Sequence, residues 1–344
     1  MSKLVVSFGE IMLRLAPPGF ERFLQSPQLI ATFGGGEANV AVALAGFGLP
    51  ARYVTVLPDK HPIADGCIAQ LRGLGVDTSQ IARGPGRMGT YYVESGANQR
   101  ASAVTYDRDR SAIALASPGS IDWNSALDGA SWFHITGITP AISESAAALA
   151  LESVTAARAK NLMISCDLNF RKNLWKWGKK SQDVMPDLFK QVDVGIANEE
   201  DCQMALGIAA EANVEAGKLD REAYKKLAEK VMETYPRLQA MAITLRESHS
   251  ASHNTWAACL HNGKEFLVSR SYEITNIVDR VGSGDSFAGG LIFGLNSLPG
   301  YQEALDFATA ASCLKHSIPG DFCRLTRSEV DDLVHGGGSG RVKR

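Results

Sequence analysis

The chain has 344 residues, of which 45% are hydrophobic and 21% are charged, and it carries 35 Lys and Arg against 37 Asp and Glu. This composition is that of a globular protein and excludes intrinsic disorder, a collagen-like helix and a coiled coil. The balanced charge argues against a protein whose main task is to neutralise a nucleic-acid backbone. At about 150 residues per domain, the length predicts two domains, or one large α/β domain with an appendage.

The spacing of the cysteines and the length of the apolar segments indicate in which cellular compartment we expect the protein. None of the 6 cysteines belongs to a CxxC pair, which predicts free thiols in a reducing compartment. The apolar stretches are shorter than the roughly 20 residues that cross a bilayer. The first residues lead into a strand without the apolar core of a signal peptide. We therefore expect a cytoplasmic protein that binds neither a membrane nor a nucleic acid.

The N-terminal third predicts short strands and two helices, interrupted by a hairpin. In chain order, we expect strands at 5–8 and 11–15, a helix at 37–46, a strand at 52–56 and a helix at 65–74. Two β-prone segments follow at 90–95 and 101–106, and the turn residues 96–98 between them indicate a hairpin.

The remainder of the chain alternates strands and helices. We expect strands at 132–136, 162–167, 192–197 and 240–245, with helices at 144–157, around 186–191, from 199 and at 221–234. A hairpin at 256–260 and 265–268 and helices at 286–295 and 302–315 close the chain. Such alternation is typical of βαβ units, so the predicted fold class is α/β, with a mainly parallel sheet between two layers of helices.

The segments that break the alternation predict a second, small sheet. We expect an α/β body at 1–10, 36–87 and 111–335, a β lid at 11–35 and 88–110, and a Gly-rich tail at 336–344. A small sheet beside the open edge of an α/β body can exclude water from a site when it closes.

A glycine-rich segment before a predicted helix carries the most chemical information. Gly282, Ser283 and Gly284 allow successive N–H groups to face one concavity at a helix N-terminus, which favours an anion such as phosphate. Asp285 follows, where a carboxylate could accept a proton from a substrate hydroxyl. The alternative is that Asp285 only caps the helix.

Two segments resemble the signatures of the ribokinase-like, PfkB-type carbohydrate kinases. They are GGGEANVAVALAGFG at 34–48 and DRVGSGDSFAGGLI at 279–292, and the resemblance extends from about residue 4 to about residue 335. It implies an α/β body that binds ATP, a β lid over a sugar, and Asp285 as the general base. It further implies an anion hole formed by residues 282–284.

The same resemblance implies sites for nucleotide and cations. Nucleotide-binding residues would be Asn198, Thr244, Gly282, Gly284 and Lys315. Asp201, in a motif where the family has Glu, would organise water around Mg²⁺, and Asp279 would lie near a monovalent cation such as K⁺. The alternative for Lys315 is that its positive charge only stabilises the C-terminus of a helix. Arg246 departs from the family, which often has Gly there.

Several arginines favour an acidic sugar, because the guanidinium fork matches a carboxylate. Arg171 follows a predicted buried strand, whereas Arg108 and Arg110 on the hairpin could be solvated partners of Asp107 and Asp109. The segments YDR at 106–108, HITGITP at 134–140, DLNFR at 167–171 and IPGD at 318–321 resemble 2-keto-3-deoxygluconate kinases within the family. That resemblance implies a sugar site formed by Gly34, Gly35, Tyr91, Tyr106, Arg108, Arg171, Asp285 and Asp321, with Tyr92 as the alternative to Tyr91.

The implied reaction transfers the γ-phosphoryl group of ATP to the 6-hydroxyl of 2-keto-3-deoxygluconate. A fructokinase and a 5-dehydro-2-deoxygluconokinase are the alternatives within the family. A nicotinamide-dependent dehydrogenase that uses the N-terminal glycines is the alternative from another class. The edges of a small lid sheet invite pairing, so we expect a dimer or a larger homo-oligomer.

Two further features have structural interpretations. His249 and His253 lie in a Ser-rich stretch that we expect to be a surface loop without metal. Trp175 and Trp177 lie among lysines, and we expect an amphipathic surface helix there instead of a surface on which nucleic-acid bases stack.

Overall fold

A computed structural model describes residues 3–209 and 221–337. Most of the predicted tail, residues 338–344, lies outside the described residues. Within the described ranges, every helix is too short or too polar to cross a lipid bilayer.

The strands alternate with helices from residue 130 to residue 250, as the sequence predicts. In chain order they are β1 (Leu4–Phe8), β2 (Met12–Ala16), β3 (Ile30–Gly34), β4 (Ala51–Val54), β5 (Val56–Pro58), β6 (Ala82–Gly84), β7 (Thr90–Glu94), β8 (Ala103–Asp107), β9 (Ala130–Thr136), β10 (Met163–Asp167), β11 (Val194–Asn198), β12 (Ala240–Ser250), β13 (His253–His261), β14 (Phe266–Val268) and β15 (Tyr272–Ile274).

The helices connect these strands and cover them. They are α1 (Gly36–Gly46), α2 (Pro62–Gly73), α3 (Ala112–Leu115), α4 (Trp123–Ala126), α5 (Thr139–Ile142), α6 (Glu144–Ala159), α7 (Met185–Phe189), α8 (Glu199–Leu206), α9 (Arg221–Thr234), α10 (Ser283–Ser297), α11 (Tyr301–Lys315) and α12 (Arg327–Val334). A short 3₁₀ turn covers Ser181–Asp183.

The large sheet has the order β14-β13-β12-β11-β10-β9-β1-β4, and β15 also pairs with β13. Strands β12, β11, β10, β9, β1 and β4 run parallel, and β13 reverses direction at one side. One hydrophobic core joins the sheet to α1, α2, α10 and α11, and a second joins its other face to α6, α7 and α9. The predicted α/β/α layering is confirmed.

A separate four-stranded sheet has the order β3-β2-β7-β8. The predicted hairpin at 90–107 is present as the antiparallel pair β7 and β8. Every residue of the edge strand β8 is exposed, whereas Tyr91 and Val93 of β7 are buried. The role of this sheet as a lid, and the oligomer expected from its open edge, stay predictions.

Two local expectations were wrong. The Ser- and His-rich stretch is the far end of a long β12–β13 hairpin, in which the rings of the exposed His249 and the half-buried His253 lie 4.4 Å apart. No metal-ligating cluster includes them among the described residues. Trp175 and Trp177 lie in an irregular segment without a helix and pack on each other, with ring centroids 6.1 Å apart.

Helices α10 and α11 approach closely because small residues face each other. A Cβ at Gly290 would lie 2.8 Å from the Ala308 Cα, and one at Gly294 would lie 2.5 Å from the Ala304 Cα. This contact supports the position of α10, whose N-terminus carries the glycine-rich segment.

We expect Gly294→Ala to lower the free energy of unfolding by about 1–3 kcal/mol, because the added methyl group overpacks the helix contact. The matched control is Gly66→Ala in the exposed part of α2, where a Cβ would meet nothing within 4 Å. That change should raise stability by about 0.5–1 kcal/mol. Equal effects of the two substitutions in urea unfolding would contradict the close packing of α10 on α11.

Candidate active site

A cavity of about 490 Å³ lies between the small sheet and the ends of parallel strands β10, β11 and β12. Ligands of open α/β sheets bind at such carboxyl ends. All but two of the predicted site residues line it: Gly34, Gly35, Tyr91, Tyr106, Arg108, Arg171, Asn198, Asp201, Thr244, Gly282, Ser283, Gly284, Asp285 and Asp321. The structure therefore brings together residues from distant parts of the chain.

The glycine-rich segment forms the N-terminus of α10. Gly282 is the residue before the helix and adopts a left-handed φ of 83°. A Cβ there would also overlap the Asp321 carbonyl oxygen, so only glycine fits. An α-helix leaves its first N–H groups without intrahelical acceptors, which here makes those of Gly284 and Asp285 available to an anion.

Asp285 lies in the first turn of α10 and is not the N-cap, so the capping alternative is wrong. The Asn39 side chain donates a hydrogen bond to Asp285, with Nδ2 2.6 Å from Oδ2. Burial raises the pKa of Asp285 to about 6, while the Asn39 bond lowers it. A carboxylate with this pKa is suited to accept a proton near neutral pH.

Oxygen atoms gather opposite the glycine-rich segment. Burial raises the pKa of Asp167 well above its usual value, and the Asp201 and Asp285 carboxylates raise it further. The Asn169 Oδ1 atom is buried, lines the same cavity and accepts no hydrogen bond within the described part of the chain. Carboxylate and amide oxygens are the donor set that suits Mg²⁺.

Asn198 and Asp201 also have a structural role, because they cap α8 reciprocally. Asn198 Oδ1 accepts from the Asp201 N–H at 2.9 Å, and Asp201 Oδ2 accepts from the Asn198 N–H at 3.0 Å. Asp201 Oδ1 accepts from the Phe170 N–H at 3.0 Å. The capping box fixes both side chains at the cavity wall.

The two candidate sugar-acid arginines differ in their surroundings. Arg108 is buried and pairs with Glu10, not with Asp107, so the expectation of a solvated pair was wrong. Asp107 pairs with Arg87, and Arg110 is exposed.

Arg171 is exposed at the cavity wall. It donates to the neighbouring Phe170 carbonyl at 3.4 Å and forms no ion pair with any described residue. Its charge partly offsets the effect of burial on the pKa of Asp167 and of Asp285, but no direct ion pair occupies the guanidinium, which can therefore bind an anion.

Aromatic and small residues of the small sheet form the cavity roof. The Tyr91 and Tyr106 rings stack with centroids 5.9 Å apart, and the Arg108 guanidinium lies 5.5 Å from the Tyr106 ring. A Cβ at Gly34 would overlap Asp321 Oδ2 and would lie 2.6 Å from the Tyr91 hydroxyl. Tyr91, rather than Tyr92, lines the cavity.

Asp279 and Lys315 are the two predicted residues that do not line the cavity. Lys315 is buried at the end of α11 and donates to the Ile318 carbonyl at 3.0 Å. Asp279 is held by Arg14 of β2, with the Arg14 Nη2 and Asp279 Oδ2 atoms 2.5 Å apart. Its other oxygen accepts from the Val281 N–H at 3.0 Å.

The cavity also includes residues that the sequence did not identify. They include Glu10, Asn39, Asp167, Asn169, Arg246, Trp256 and Arg280. Asn39 and Asp167 lie in quoted motifs, so their chemistry could have been recognised. Asn169 and Arg280 also lie in quoted motifs. Arg246 pairs with Trp256 across the long β12–β13 hairpin, whose outer half was expected to be a loop.

Comparisons with known proteins agree with this architecture. A family model described as pfkB family carbohydrate kinase matches residues 2–321. A 2-dehydro-3-deoxygalactonokinase from Haloferax volcanii is 30% identical over 340 residues, which cover 99% of each chain. The crystal structure of a 2-dehydro-3-deoxygluconokinase from Thermotoga maritima is 46% identical, with a TM-score of 0.91 over 97% of this chain and 100% of that one.

A more distant structure shows the fold alone. It is described as a ribokinase II from E. coli in complex with ATP and Mg²⁺. It is 19% identical, with a TM-score of 0.77 over 97% of this chain and 99% of that one.

We expect Asn39→Ala to raise the pKa of Asp285 above its value of about 6, because the charged carboxylate loses a hydrogen-bond donor. The loss of such a bond corresponds to about one pKa unit or more. A ¹³C NMR titration of aspartate-labelled protein, assigned with Asp285→Asn, measures the shift. The exposed Asn124→Ala is the control, and an unchanged Asp285 titration in Asn39→Ala would contradict the bond.

Proposed function

The chain belongs to the pfkB family of carbohydrate kinases, and on that premise we propose that it phosphorylates the 6-hydroxyl of 2-keto-3-deoxygluconate with ATP. Phosphoryl transfer to a carbohydrate follows from the family, whereas the choice of a sugar acid and of its 6-hydroxyl is our proposal. Relatives that act on 2-dehydro-3-deoxy sugar acids support it. The dehydrogenase alternative has no support from the family.

The observation that carries the choice of a sugar acid is the unpaired charge of Arg171. Glu10 already neutralises Arg108, and Asp279 and Asp321 neutralise Arg14. Arg171 lacks such a partner among the described residues and lines the cavity. A substrate carboxylate would complete this site with two parallel hydrogen bonds. A neutral sugar such as fructose would leave the guanidinium without a direct ion pair.

We place the triphosphate across the N-terminus of α10. The N–H groups of Gly284 and Asp285 would hold the transferred phosphoryl group, and Thr244 would contact the more distant phosphates. Arg246 and Arg280 lie at the same end of the cavity, where Arg246 lowers the pKa of Arg280 after the larger effect of burial. Two adjacent guanidinium groups fit a polyanion better than a neutral ligand.

The chemical step would use Asp285 as the general base. In its ionised form it accepts the proton of the 6-hydroxyl while the hydroxyl oxygen bonds to the γ-phosphorus and ADP departs. Asn39 orients the carboxylate, and the α10 N-terminus stabilises the charge on the migrating group. Positioning and electrostatics supply most of the catalysis in phosphoryl transfer.

Asp201 and Asn169 would hold Mg²⁺ from the opposite wall, Asp201 through water. When bound, Mg²⁺ neutralises charge on the phosphates. Asp167 lies in the same cavity, where burial raises its pKa, and a bound Mg²⁺ would favour its ionised form. We propose residues 11–35 and 88–110 as the lid and residues 1–10, 36–87 and 111–335 as the nucleotide-binding body, so that closure of the small sheet excludes water.

A panel of sugars with ADP release as the readout tests the substrate. We expect kcat/KM for 2-keto-3-deoxygluconate to exceed that for fructose and for 5-dehydro-2-deoxygluconate, because Arg171 discriminates by charge and position. The C4 epimer 2-keto-3-deoxygalactonate measures how strictly the hydroxyls are recognised. Preferred turnover of fructose would refute the sugar-acid proposal and leave the family assignment intact.

Arg171→Gln should raise KM for the sugar acid by roughly 10- to 100-fold, the worth of hydrogen bonds to a charged group, with a smaller change in kcat. Arg171→Lys keeps the charge but loses the planar fork, so its KM should be intermediate. Lys172→Gln removes an exposed neighbouring charge that does not line the cavity. It should leave KM unchanged, and an equal effect of both glutamines would contradict direct carboxylate binding.

Asp285→Asn should lower kcat by about 10²- to 10⁴-fold, the usual contribution of a general base, while ATP and sugar still bind in calorimetry. In the unmodified enzyme, kcat/KM should rise with pH through about 6, because only the deprotonated carboxylate accepts the proton. Near-normal turnover of the Asn variant would remove Asp285 from the mechanism.

A further inference from the structure

We propose that Arg14 supplies, as part of the chain, the positive charge that a monovalent cation would supply beside the phosphate-binding loop. The kinase would then work without K⁺ or Na⁺. The inference rests on the proposed phosphoryl transfer at Asp285, and it concerns the loop that precedes this residue. The family resemblance led us to expect a monovalent cation near Asp279, and the surroundings of Asp279 do not fit one.

Arg14 joins the small sheet to the body through two carboxylates. Its Nη1 atom lies 2.7 Å from Asp321 Oδ1 and its Nη2 atom 2.5 Å from Asp279 Oδ2, and only 4% of its side chain is exposed. Burial alone would lower the pKa of Arg14, but the Asp279 and Asp321 carboxylates raise it well above its usual value. The guanidinium therefore stays charged in this buried position.

Hydrogen-bond donors surround the Asp279 carboxylate. Oδ2 accepts from Arg14 and from the Gly320 N–H at 3.0 Å, and Oδ1 accepts from the Val281 N–H at 3.0 Å. An alkali cation requires oxygen ligands, and the positive ends of these N–H groups would repel it. No group of metal-ligating carboxylates forms here in the described part of the chain.

The buried charges also balance without a bound ion. Arg14 and Lys315 oppose Asp279 and Asp321, and Lys315 is itself buried. Burial lowers the pKa of Lys315, and the same two carboxylates raise it. The two cations offset the charges of these two carboxylates, so no further cation is needed to neutralise them.

The charged cluster of Arg14, Lys315, Asp279 and Asp321 lies beside the phosphate-binding loop and can set its geometry. The Asp321 backbone packs directly against Gly282, and the Asp321 carboxylate packs against Gly34 of the small sheet. Asp279 lies three residues before Gly282 in the chain. Arg14 thus fixes both sides of the loop at once, and it does so only while the small sheet is seated on the body. We assign it as a positioning residue.

The first test uses the unmodified enzyme with whichever sugar of the panel it turns over. We expect kcat and the melting temperature to be the same in K⁺, Na⁺ and tetramethylammonium salts at equal ionic strength. A direct measurement by ²⁰⁵Tl NMR should detect no specific binding of Tl⁺, a probe for K⁺. Strong activation by K⁺, or saturable Tl⁺ binding, would overturn the proposal.

The second test is Arg14→Met, which keeps much of the length but removes the charge. We expect kcat to fall by about 100-fold in tetramethylammonium, because a displacement of the phosphate-binding loop by about 1 Å is enough to lower the rate that much. Because Asp279 and Asp321 then keep only Lys315 of their two buried cations, K⁺ should raise both kcat and the melting temperature of this variant. The control Arg87→Met breaks the exposed pair with Asp107 and should show no cation dependence.

Arg14→Lys keeps a charge but can make fewer bonds, and it remains available if the Met variant does not fold. It should retain more activity than Arg14→Met and respond less to K⁺. A loss of activity in both variants without any response to K⁺ would show that Arg14 is merely structural. Failure of the sugar panel would refute the proposed function alone, because Tl⁺ binding and melting temperature do not depend on turnover.

Discussion

Several carboxylates have to stay ionised at the contact between the small sheet and the α/β body, from which most water is removed. An ionised carboxylate that is buried without compensation costs several kcal/mol, so each one requires a cation or hydrogen-bond donors. Arg14 compensates Asp279 and Asp321, and Asn39 donates to Asp285. Arg14 belongs to the small sheet and its partners belong to the body. The attachment of the small sheet and the geometry of the site therefore depend on the same contact.

The same constraint separates the arginines by function. Arg14 and Arg108 each have buried carboxylate partners, and such pairs are rigid and have little charge left for a ligand. Arg171 lies at the opposite wall without one among the described residues. Counting arginines near a predicted site therefore says little about the substrate. What matters is which guanidinium remains unneutralised after the chain has folded, and this depends on residues far away in sequence.

The sequence predicted those helices, strands and turns whose conformation depends on residues close together in the chain. The glycines before α10 require a sharp entry into the helix, and the alternating apolar segments produce parallel strands whose carboxyl ends meet at one edge. These two facts place Asp285 and Thr244 at the same cavity. Only the outer half of the β12–β13 hairpin was missed, because its Ser, His and Asn residues have the composition of a loop. Trp175 and Trp177 were expected in an amphipathic helix because they lie among lysines in a chain of acidic balance. Gly178, with a φ of 104°, is one residue that does not suit a helix.

The partner of Asp279 shows why the rest of the site could not be predicted. A carboxylate beside a phosphate loop can be compensated by a metal ion or by a side chain, and nothing in the neighbouring sequence distinguishes the two. The residue that decides is 265 positions away, in a strand where Arg14 lies between Leu13 and Leu15. Alternation of this kind normally indicates that the polar residue faces solvent. Here the body covers the face of β2 that carries Arg14. The polar residue of the alternating pattern is therefore buried, and its charge compensates the carboxylates of the site.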